Sequence, residues 1–466
     1  MSDNKTAVQK QKLDMTSTIA YAIGSSGANA SFYMINNYLM LFYTDIVGLA
    51  ASAISLIMLV ARIWDAANDP MMGMIEDKTK TKLGKFRPWL IVGPPFLAIF
   101  NLLTFTVFPL QGTAKVLVCG ICYIGAGMAY TVVQVAINGL VNRITNDSQA
   151  KMKVISIAQI ANQLGQVAIA AVLMPVILYF SGSDVANARG YFWGTLFVCI
   201  VTVPMIWISA WKCREISAEE APSNADEPKE KKSVAESLKL TFSNDQMVAA
   251  VLSTFLSCVG IIGRFALLSY YIIYVVGSYT LIAPVFSIMS LAQMFGNIPL
   301  PYITQKFGKK RTYIACNLAT SVLLVLLFFV SSAPSNAVVI GISAIIGFLS
   351  ACSSITYSFM CDCVEYGDWK YGIRDDGLAF SIMSFGVKLA TAITGAIGAP
   401  LLAAVGYVAN QAQAPGTVTA INAIVNLAPA VMLVIAMLPL AKYKLDQKTM
   451  DQVTADLIVR RGGSES

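Results

Sequence analysis

Arg62, Asp65, Asn68 and Asp69 stand close together in the stretch Arg62-Ile63-Trp64-Asp65-Ala66-Ala67-Asn68-Asp69-Pro70. On a helix turning about 100° per residue, the four side chains share an arc of about 120°. One face then carries two carboxylates, an amide and a guanidinium. Ionised groups inside apolar spans are costly and mark function by default. Oxygen ligands of this kind suit a hard cation, sodium among them. A carboxylate whose pKa is raised by burial carries a proton instead. A buried ion pair between Arg62 and one aspartate, pinning helices and nothing more, is the third reading. It leaves the second aspartate unexplained.

Two further cations, Arg264 and Lys388, sit in apolar stretches with no obvious partner in their own segment. Asp362 and Glu365 lie near the end of another apolar stretch. Arg264 and Lys388 either meet an anionic substrate or pair with Asp65, Asp69 or Glu365 in at least one conformation. For Lys388, pairing is the preferred reading. Asn29, Tyr130, Thr131 and Gln134 are uncharged polar positions in similar surroundings. Any one of the amides or hydroxyls serves equally well as glue between helices.

What is missing excludes whole classes. Histidine is absent, which removes imidazole as metal ligand, general base and proton relay. The nine cysteines are scattered and read as small apolar fillers. Cys361-x-Cys363 is a close pair and a weak metal candidate. No G-x-x-x-x-G-K-[ST] loop is present, which disfavours ATP-driven transport. A membrane-embedded enzyme acting on lipid would want a histidine or a soluble catalytic domain. A channel rarely needs a mid-membrane lysine among aspartates. No resident cofactor is expected.

The elements that hold these residues follow from composition. Of 466 residues, 56% are apolar and 13% charged, against about 45–50% and about 25% in soluble domains. So few charges cannot cover a water-exposed surface. No charge occurs from Trp89 to Ala114, Val116 to Asn142, Val154 to Ser183 or Gly190 to Trp211. Such runs read as membrane helices. The run from Thr312 to Cys361 is broken at Ser332-Ala333-Pro334-Ser335-Asn336 and holds two. Twelve spans fit, near 15–44, 46–75, 88–109, 116–142, 154–182, 190–211, 246–277, 281–305, 312–331, 337–363, 378–405 and 418–441. The short alternating strands of a membrane barrel are not seen.

Basic residues set the orientation. Lys78, Lys80, Lys82, Lys85 and Arg87 follow span two, and Lys306, Lys309, Lys310 and Arg311 follow span eight. Lys212, Arg214, Lys229, Lys231, Lys232 and Lys239 lie between spans six and seven. Both termini and the central loop are therefore expected on the cytoplasmic side. The net charge of +7 reflects these loops and no nucleic-acid partner. The first sixteen residues are polar, so no cleaved leader is expected. The expected organisation is a six-helix bundle over 1–211, a cytoplasmic loop over 212–245, a second bundle over 246–441 and a tail over 442–466. A repeat supports it: Lys82-Leu83-Gly84-Lys85-Phe86-Arg87 and Lys306-Phe307-Gly308-Lys309-Lys310-Arg311 both read K-x-G-K-x-R after the second span of a half. Duplicated halves that rock about a central site are a transporter layout. Asp65 lies about 15 Å inside the cytoplasmic end of span two. Lys388, Gln134, Thr131, Tyr130 and Asn29 fall at similar depth.

Two long motifs are specific enough to carry a resemblance. Arg62 to Asp69, continuing through Pro70-Met71-Met72-Gly73 to Gly84-Lys85-Phe86-Arg87-Pro88-Trp89, is one. Asp362-Cys363-Val364-Glu365-Tyr366-Gly367-Asp368-Trp369-Lys370, with Lys388 after it, is the other. Tyr43-Thr44-Asp45 before Val47-Gly48 adds to them. Over nearly the whole chain the sequence resembles the glycoside–pentoside–hexuronide:cation symporters of the major facilitator fold. The resemblance implies an all-α membrane protein with twelve transmembrane helices in two six-helix halves. In the family's melibiose carriers, Asp65 and Asp69 match the cation-binding aspartates, Asn68 and Thr131 the auxiliary ligands, and Lys388 an essential lysine. Asn29 and Gln134 stand where those carriers have sugar-binding aspartates, and Gln159 where they have an arginine. The segment Gly406-Tyr407-Val408-Ala409-Asn410-Gln411 looks more like the glucuronide and pentoside branch.

These readings predict a cation-coupled importer of a small glycoside in the cell inner membrane, working by alternating access. Asp65, Asp69, Asn68 and Thr131 are expected to bind the co-transported sodium or proton, with sodium preferred because neutral oxygens suit it. Asn29, Tyr130, Gln134, Gln159, Arg264 and Lys388 are expected to meet the sugar. Arg62, Asp362 and Glu365 are expected to couple or gate. A glucuronide or pentoside is the expected cargo, with a neutral xyloside or galactoside as the alternative. A monomer in the bilayer is expected.

Overall fold

The computed structural model describes residues 14–79, 81, 83–144, 148–213, 244–330, 335–372 and 376–460. Most of the expected central loop, with Arg214 and Lys229 to Lys239, lies outside the described residues. So do Lys80 and Lys82 of the first basic turn and Ser332-Ala333-Pro334. Among the described residues there is no strand, only one isolated bridge between Thr81 and Gly84.

In the first half the helices are α1 (Met15–Leu41), α2 (Ala51–Lys78), α3 (Arg87–Thr104), α4 (Gly112–Ile144), α5 (Ser148–Ser181) and α6 (Ala188–Lys212). A π-helical turn, Phe42–Ile46, extends α1. In the second half, α7 (Asp245–Tyr270) runs on into a second π turn, Tyr271–Val276. Then come α8 (Ile282–Gly296), α9 (Leu300–Phe307), α10 (Lys309–Val330), α11 (Asn336–Ser350), α12 (Ile355–Tyr371), α13 (Asp376–Ala404), α14 (Pro415–Asn422), α15 (Ala428–Met437) and α16 (Gln447–Arg460). Among the described residues nine stretches are long and apolar enough to cross a membrane. Helices α1 to α3 fall outside that set. Helix α2 carries Arg62, Asp65, Asp69 and Glu76, and α3 opens on Arg87-Pro88 and holds Pro94, Pro95 and Asn101.

Local chemistry explains where helices stop or break. Helix α3 ends at Thr104, five residues before the expected limit; Thr104 and Thr106 turn their hydroxyls back onto Phe100 and Leu102 carbonyls at 2.7 and 2.6 Å, and Pro109 disfavours helix at the residue before it. The expected eighth span is two helices, because Pro299 has no N–H to continue α8. Pro429 likewise sits just past the π turn Ala423–Leu427 that joins α14 to α15. The two repeated basic turns share a backbone reason for their glycine. Gly84 has φ 105° and Gly308 φ 84°, a left-handed region that side chains rarely enter.

The chain divides into two compact units, residues 1–36 with 63–227, and residues 37–62 with 228–466. The divide therefore passes through α1 and α2 as well as the central segment. In the first unit α3 packs on α4 and α6, and α5 on α6. Leu90 and Leu97 of α3 meet Val133, Ile137 and Leu140 of α4 in its core. In the second unit α7 packs on α13 and α15, α8 on α11, and α10 on α15. Helix α16 seats Val453 and Leu457, one turn apart, in that unit's core with Phe359 and Met360 of α12. Trp369 Nε1 donates to Asp456 at 2.9 Å, fastening α12 to α16.

Candidate functional site

Asp65 and Asp69 are four residues apart on α2, and Gly127 and Thr131 four apart on α4. The two pairs meet in register within the first unit. Thr131 Oγ1 donates to Asp69 Oδ1 at 3.0 Å. A Cβ placed on Gly127 would lie 3.0 Å from Asp65 Oδ1. Glycine is therefore what allows the Asp65 carboxylate to reach the backbone of α4. Asn68 is 8% exposed, and its amide nitrogen makes no hydrogen bond among the described residues. Two carboxylates and a hydroxyl thus gather where α2 faces α4, with the Asn68 amide buried on the same helix. Among the described residues no group of three or more Cys, Asp or Glu is placed to hold a metal. Two carboxylates with neutral oxygens suit a singly charged hard cation better than a divalent one.

The face of α4 continues past this cluster. Tyr130 stacks on Phe32 of α1, with ring centroids 4.3 Å apart and planes at 21°. Asn29 precedes Phe32 by three positions and so shares its face. Its amide nitrogen donates back to the Ser25 carbonyl at 2.9 Å. Gln134, one turn beyond Tyr130, donates to Asn138 Oδ1 at 3.3 Å, while its own Oε1 is buried without a partner. Gln159 on α5 is exposed.

Sequence reasoning missed two residues beside it. Asn162 Oδ1 and Gln163 Oε1 are buried and accept no hydrogen bond among the described residues. A signal was there to find. Gln159, Asn162, Gln163 and Gln166 stand at i, i+3, i+4 and i+7, a stripe of amides along one helical face. Ser26 Oγ of α1 donates to the Ala161 carbonyl at 2.9 Å, which packs α1 beside that stripe.

Arg62, Arg264, Lys388, Asp362 and Glu365 belong to the second unit. Arg264 is 4% exposed. Its Nη1 lies 3.8 Å from Met289 Sδ, and Nε and Nη2 bond nothing among the described residues. Lys388 is exposed on α13 and Arg62 half-buried on α2. Asp362 has a partner that the repeated turn supplies. Lys309 Nζ donates to both its carboxylate oxygens, at 2.7 and 2.8 Å, and Tyr443 OH to one of them at 3.5 Å. Glu365 is half-buried one turn further on α12. In the first unit, Arg87 of the equivalent turn donates through Nε to the Ala210 carbonyl at 2.6 Å. Cys361 is exposed, against the filler expectation, while the other eight cysteines are buried or half-buried and unbridged.

A sequence profile described as MFS/sugar transport protein matches residues 20–447. The chain belongs to that family. It is 28% identical to the isoprimeverose transporter of Lactiplantibacillus pentosus, over 97% of this chain and 92% of that protein. It is also 28% identical to the glucuronide carrier protein homolog of Escherichia coli strain K12, over 97% of each. In fold it is similar to the xylose transporter XylE from E. coli, with a TM-score of 0.63 over 94% of this chain and 98% of that one, at 15% identity. Within the major facilitator superfamily the chain is a glycoside–pentoside–hexuronide:cation symporter. It is an all-α, multi-pass inner-membrane protein that moves sugar together with a cation, and it is not an enzyme.

Proposed function

We propose that this symporter imports a glucuronide or pentoside with sodium, by alternating access, as a monomer with both termini in the cytoplasm. The observation that carries the cation assignment is the register of Asp65 and Asp69 against Gly127 and Thr131. A proton needs only one carboxylate; sodium needs several oxygens, and Asn68 and Thr131 supply neutral ones. The sugar is assigned to Asn29, Tyr130, Gln134, Gln159, Arg264 and Lys388. Amides suit sugar hydroxyls because each has a donor and an acceptor end. Arg62, Asp362 and Glu365 couple or gate, with Lys309 as the partner of Asp362.

Arg264 favours the anionic cargo, because a buried guanidinium without a carboxylate is costly unless a ligand supplies one. The relative named for a glucuronide agrees with this reading. A second reading, a neutral glycoside, is favoured by the amide oxygens of Gln134, Asn162 and Gln163, which are buried without a hydrogen bond among the described residues, and by the relative named for isoprimeverose. Proteoliposomes decide between them. Uptake of labelled phenyl β-glucuronide and of isoprimeverose is measured with an imposed sodium gradient, then with a pH gradient at equal sodium. Glucuronide uptake driven by sodium and lost in Arg264→Gln supports the first reading. Isoprimeverose uptake indifferent to Arg264→Gln supports the second, and uptake driven by acid alone replaces sodium with a proton.

A further inference from the structure

Asp45 belongs to the Tyr43-Thr44-Asp45 motif, to which the symport function assigns nothing. It lies between α1 and α2 and is 7% exposed. Its carboxylate is surrounded by hydroxyls. Oδ1 accepts from Thr44 Oγ1 at 2.6 Å and from Tyr407 OH at 2.5 Å, and Oδ2 from Tyr274 OH at 2.5 Å. Thr44 Oγ1 also meets Tyr270 OH at 2.7 Å, and the Tyr407 and Tyr274 hydroxyl oxygens lie 3.0 Å apart. The Asn410 side-chain amide donates to the Asp45 main-chain carbonyl, and Asn410 N donates to Tyr274 OH at 3.3 Å. The rings of Tyr270 and Tyr274 stand edge-on to Tyr407 at 5.5 and 5.1 Å.

Three features set this cluster apart from ordinary packing. Asp45 and Tyr274 both lie on π-helical turns, which recur at functional positions. Asn410, with φ 57°, is the non-glycine residue in left-handed backbone among those described, a conformation held by its surroundings. Residues 37–62 group with the second unit, although the rest of α1 and α2 belongs to the first. Within the second unit, the cluster is thus where the corner joining α1 to α2 is held. Its bonds run from the end of α7 and from the link between α13 and α14. An apolar contact would also hold such a corner, but its opening would expose greasy surface. Hydroxyls and a carboxylate exchange their partners for water when parted, so the same contact closes firmly and opens reversibly.

We propose that Asp45 is a positioning residue of the transport cycle, the acceptor hub of a latch that fastens the α1–α2 corner to α7 and to the α13–α14 link and that must release before the carrier opens on that face. On the orientation proposed above, this is the outer face. The inference rests on the symport function and not on the choice of sugar or cation.

The test compares the full chain with Asp45→Asn, Tyr407→Phe and the double variant in proteoliposomes. Amide hydrogen exchange over 42–49 and 405–411 reads the latch without any sugar, and protection is expected to fall about tenfold in each variant. Phenyl β-glucuronide and isoprimeverose serve as binding and counterflow probes. For whichever probe the unaltered chain carries, the binding constant is expected to stay within about twofold while turnover changes about fivefold or more. The double variant should add little to Asp45→Asn, because the two groups share one bond. Unchanged exchange protection in Asp45→Asn and Tyr407→Phe overturns the latch. So does a loss of probe binding that accounts for the whole loss of turnover, since that marks a site residue. Tyr407→Phe removes one hydroxyl and keeps the ring, so the question remains answerable if Asp45→Asn folds poorly. If neither probe is carried, the substrate reading fails and hydrogen exchange still decides on the latch.

Discussion

Two carboxylate clusters in this molecule, one half-buried and one buried, are built on opposite plans. In the first unit, Asp65 and Asp69 face a glycine and a threonine, and one hydroxyl at 3.0 Å is the donor identified there. In the second, Asp45 accepts from three hydroxyls, two of them phenolic, while an asparagine amide holds its main-chain oxygen. The first places two charges together beside small residues, the arrangement to which the cation is assigned above. The second places one charge among bulky donors that satisfy it without any ion. Burial of a carboxylate therefore does not by itself say that a cation binds there. The neighbours differ: a pair of carboxylates beside a glycine and a threonine in one cluster, a single carboxylate ringed by hydroxyl donors in the other.

The largest expected effect breaks the comparison if it fails. Asp69→Cys should abolish uphill accumulation, a loss of about a hundredfold or more in the sodium-driven sugar ratio, while sugar exchange down its gradient persists. Asp45→Asn should slow the approach to steady state and leave the final accumulation ratio intact, because it alters a step and not the stoichiometry. Time courses of labelled uptake separate the two. Full accumulation in Asp69→Cys would remove the cation assignment, and a collapsed ratio in Asp45→Asn would make the clusters alike.

A smaller effect concerns the glycine. Gly127→Ala brings a methyl to 3.0 Å from Asp65 Oδ1. Crowding of that kind costs about 1–3 kcal/mol, so the sodium concentration for half-maximal uptake should rise about tenfold. Thr131→Val, which keeps shape and removes the donor to Asp69, should raise it by a lesser factor. Sodium titration of uptake at fixed pH measures both. If neither value moves, α2 and α4 do not share the cation.

The smallest effect is a pH slope. Burial pushes the Asp45 carboxyl above its ordinary range, and the hydrogen bonds from Thr44, Tyr274 and Tyr407 partly oppose this. Tyr270, Tyr274, Tyr279 and Tyr407 are the titratable groups whose interaction with Asp45 is resolved. A raised carboxyl binds its proton more tightly in the folded chain than in the unfolded one. Its contribution is therefore retained at low pH and lost as pH rises through the folded value. Melting temperature compared between the unaltered chain and Asp45→Asn should show the difference falling as pH rises from about 4. A difference that grows with pH would mean the hydroxyls outweigh burial.

Much of the architecture could be read in the residues alone. Twelve apolar runs, two basic turns and a repeated glycine are local facts, and the left-handed backbone at Gly84 and Gly308 gives the glycine its reason. The breaks at Pro299 and after Asn422 were also written locally, as prolines that cannot continue a helix. They were overlooked because hydropathy averages over a window and prolines barely lower it. The Asp65, Asn68, Asp69 face was legible because one helix presents it, and its partner Thr131 came from the family resemblance. Asn162 and Gln163 escaped because uncharged amides in a span raise no alarm one at a time; only their spacing with Gln159 and Gln166 marks a face.

By itself the sequence determined what is set by chain-local physics: which segments leave water, which side chains share a helical face, which ends carry positive charge, and which charges are too costly to be accidental. Tertiary structure decided what depends on residues far apart in the chain. It set Gly127 against Asp65, gave Asp362 the lysine of a turn 53 positions away, and brought Tyr274 and Tyr407 to Asp45 from more than 200 positions along the chain. Those pairings follow from how helices pack, and packing is a property of whole faces meeting in three dimensions. A span's composition requires burial against something, but the partner is chosen only when the other helices are in place.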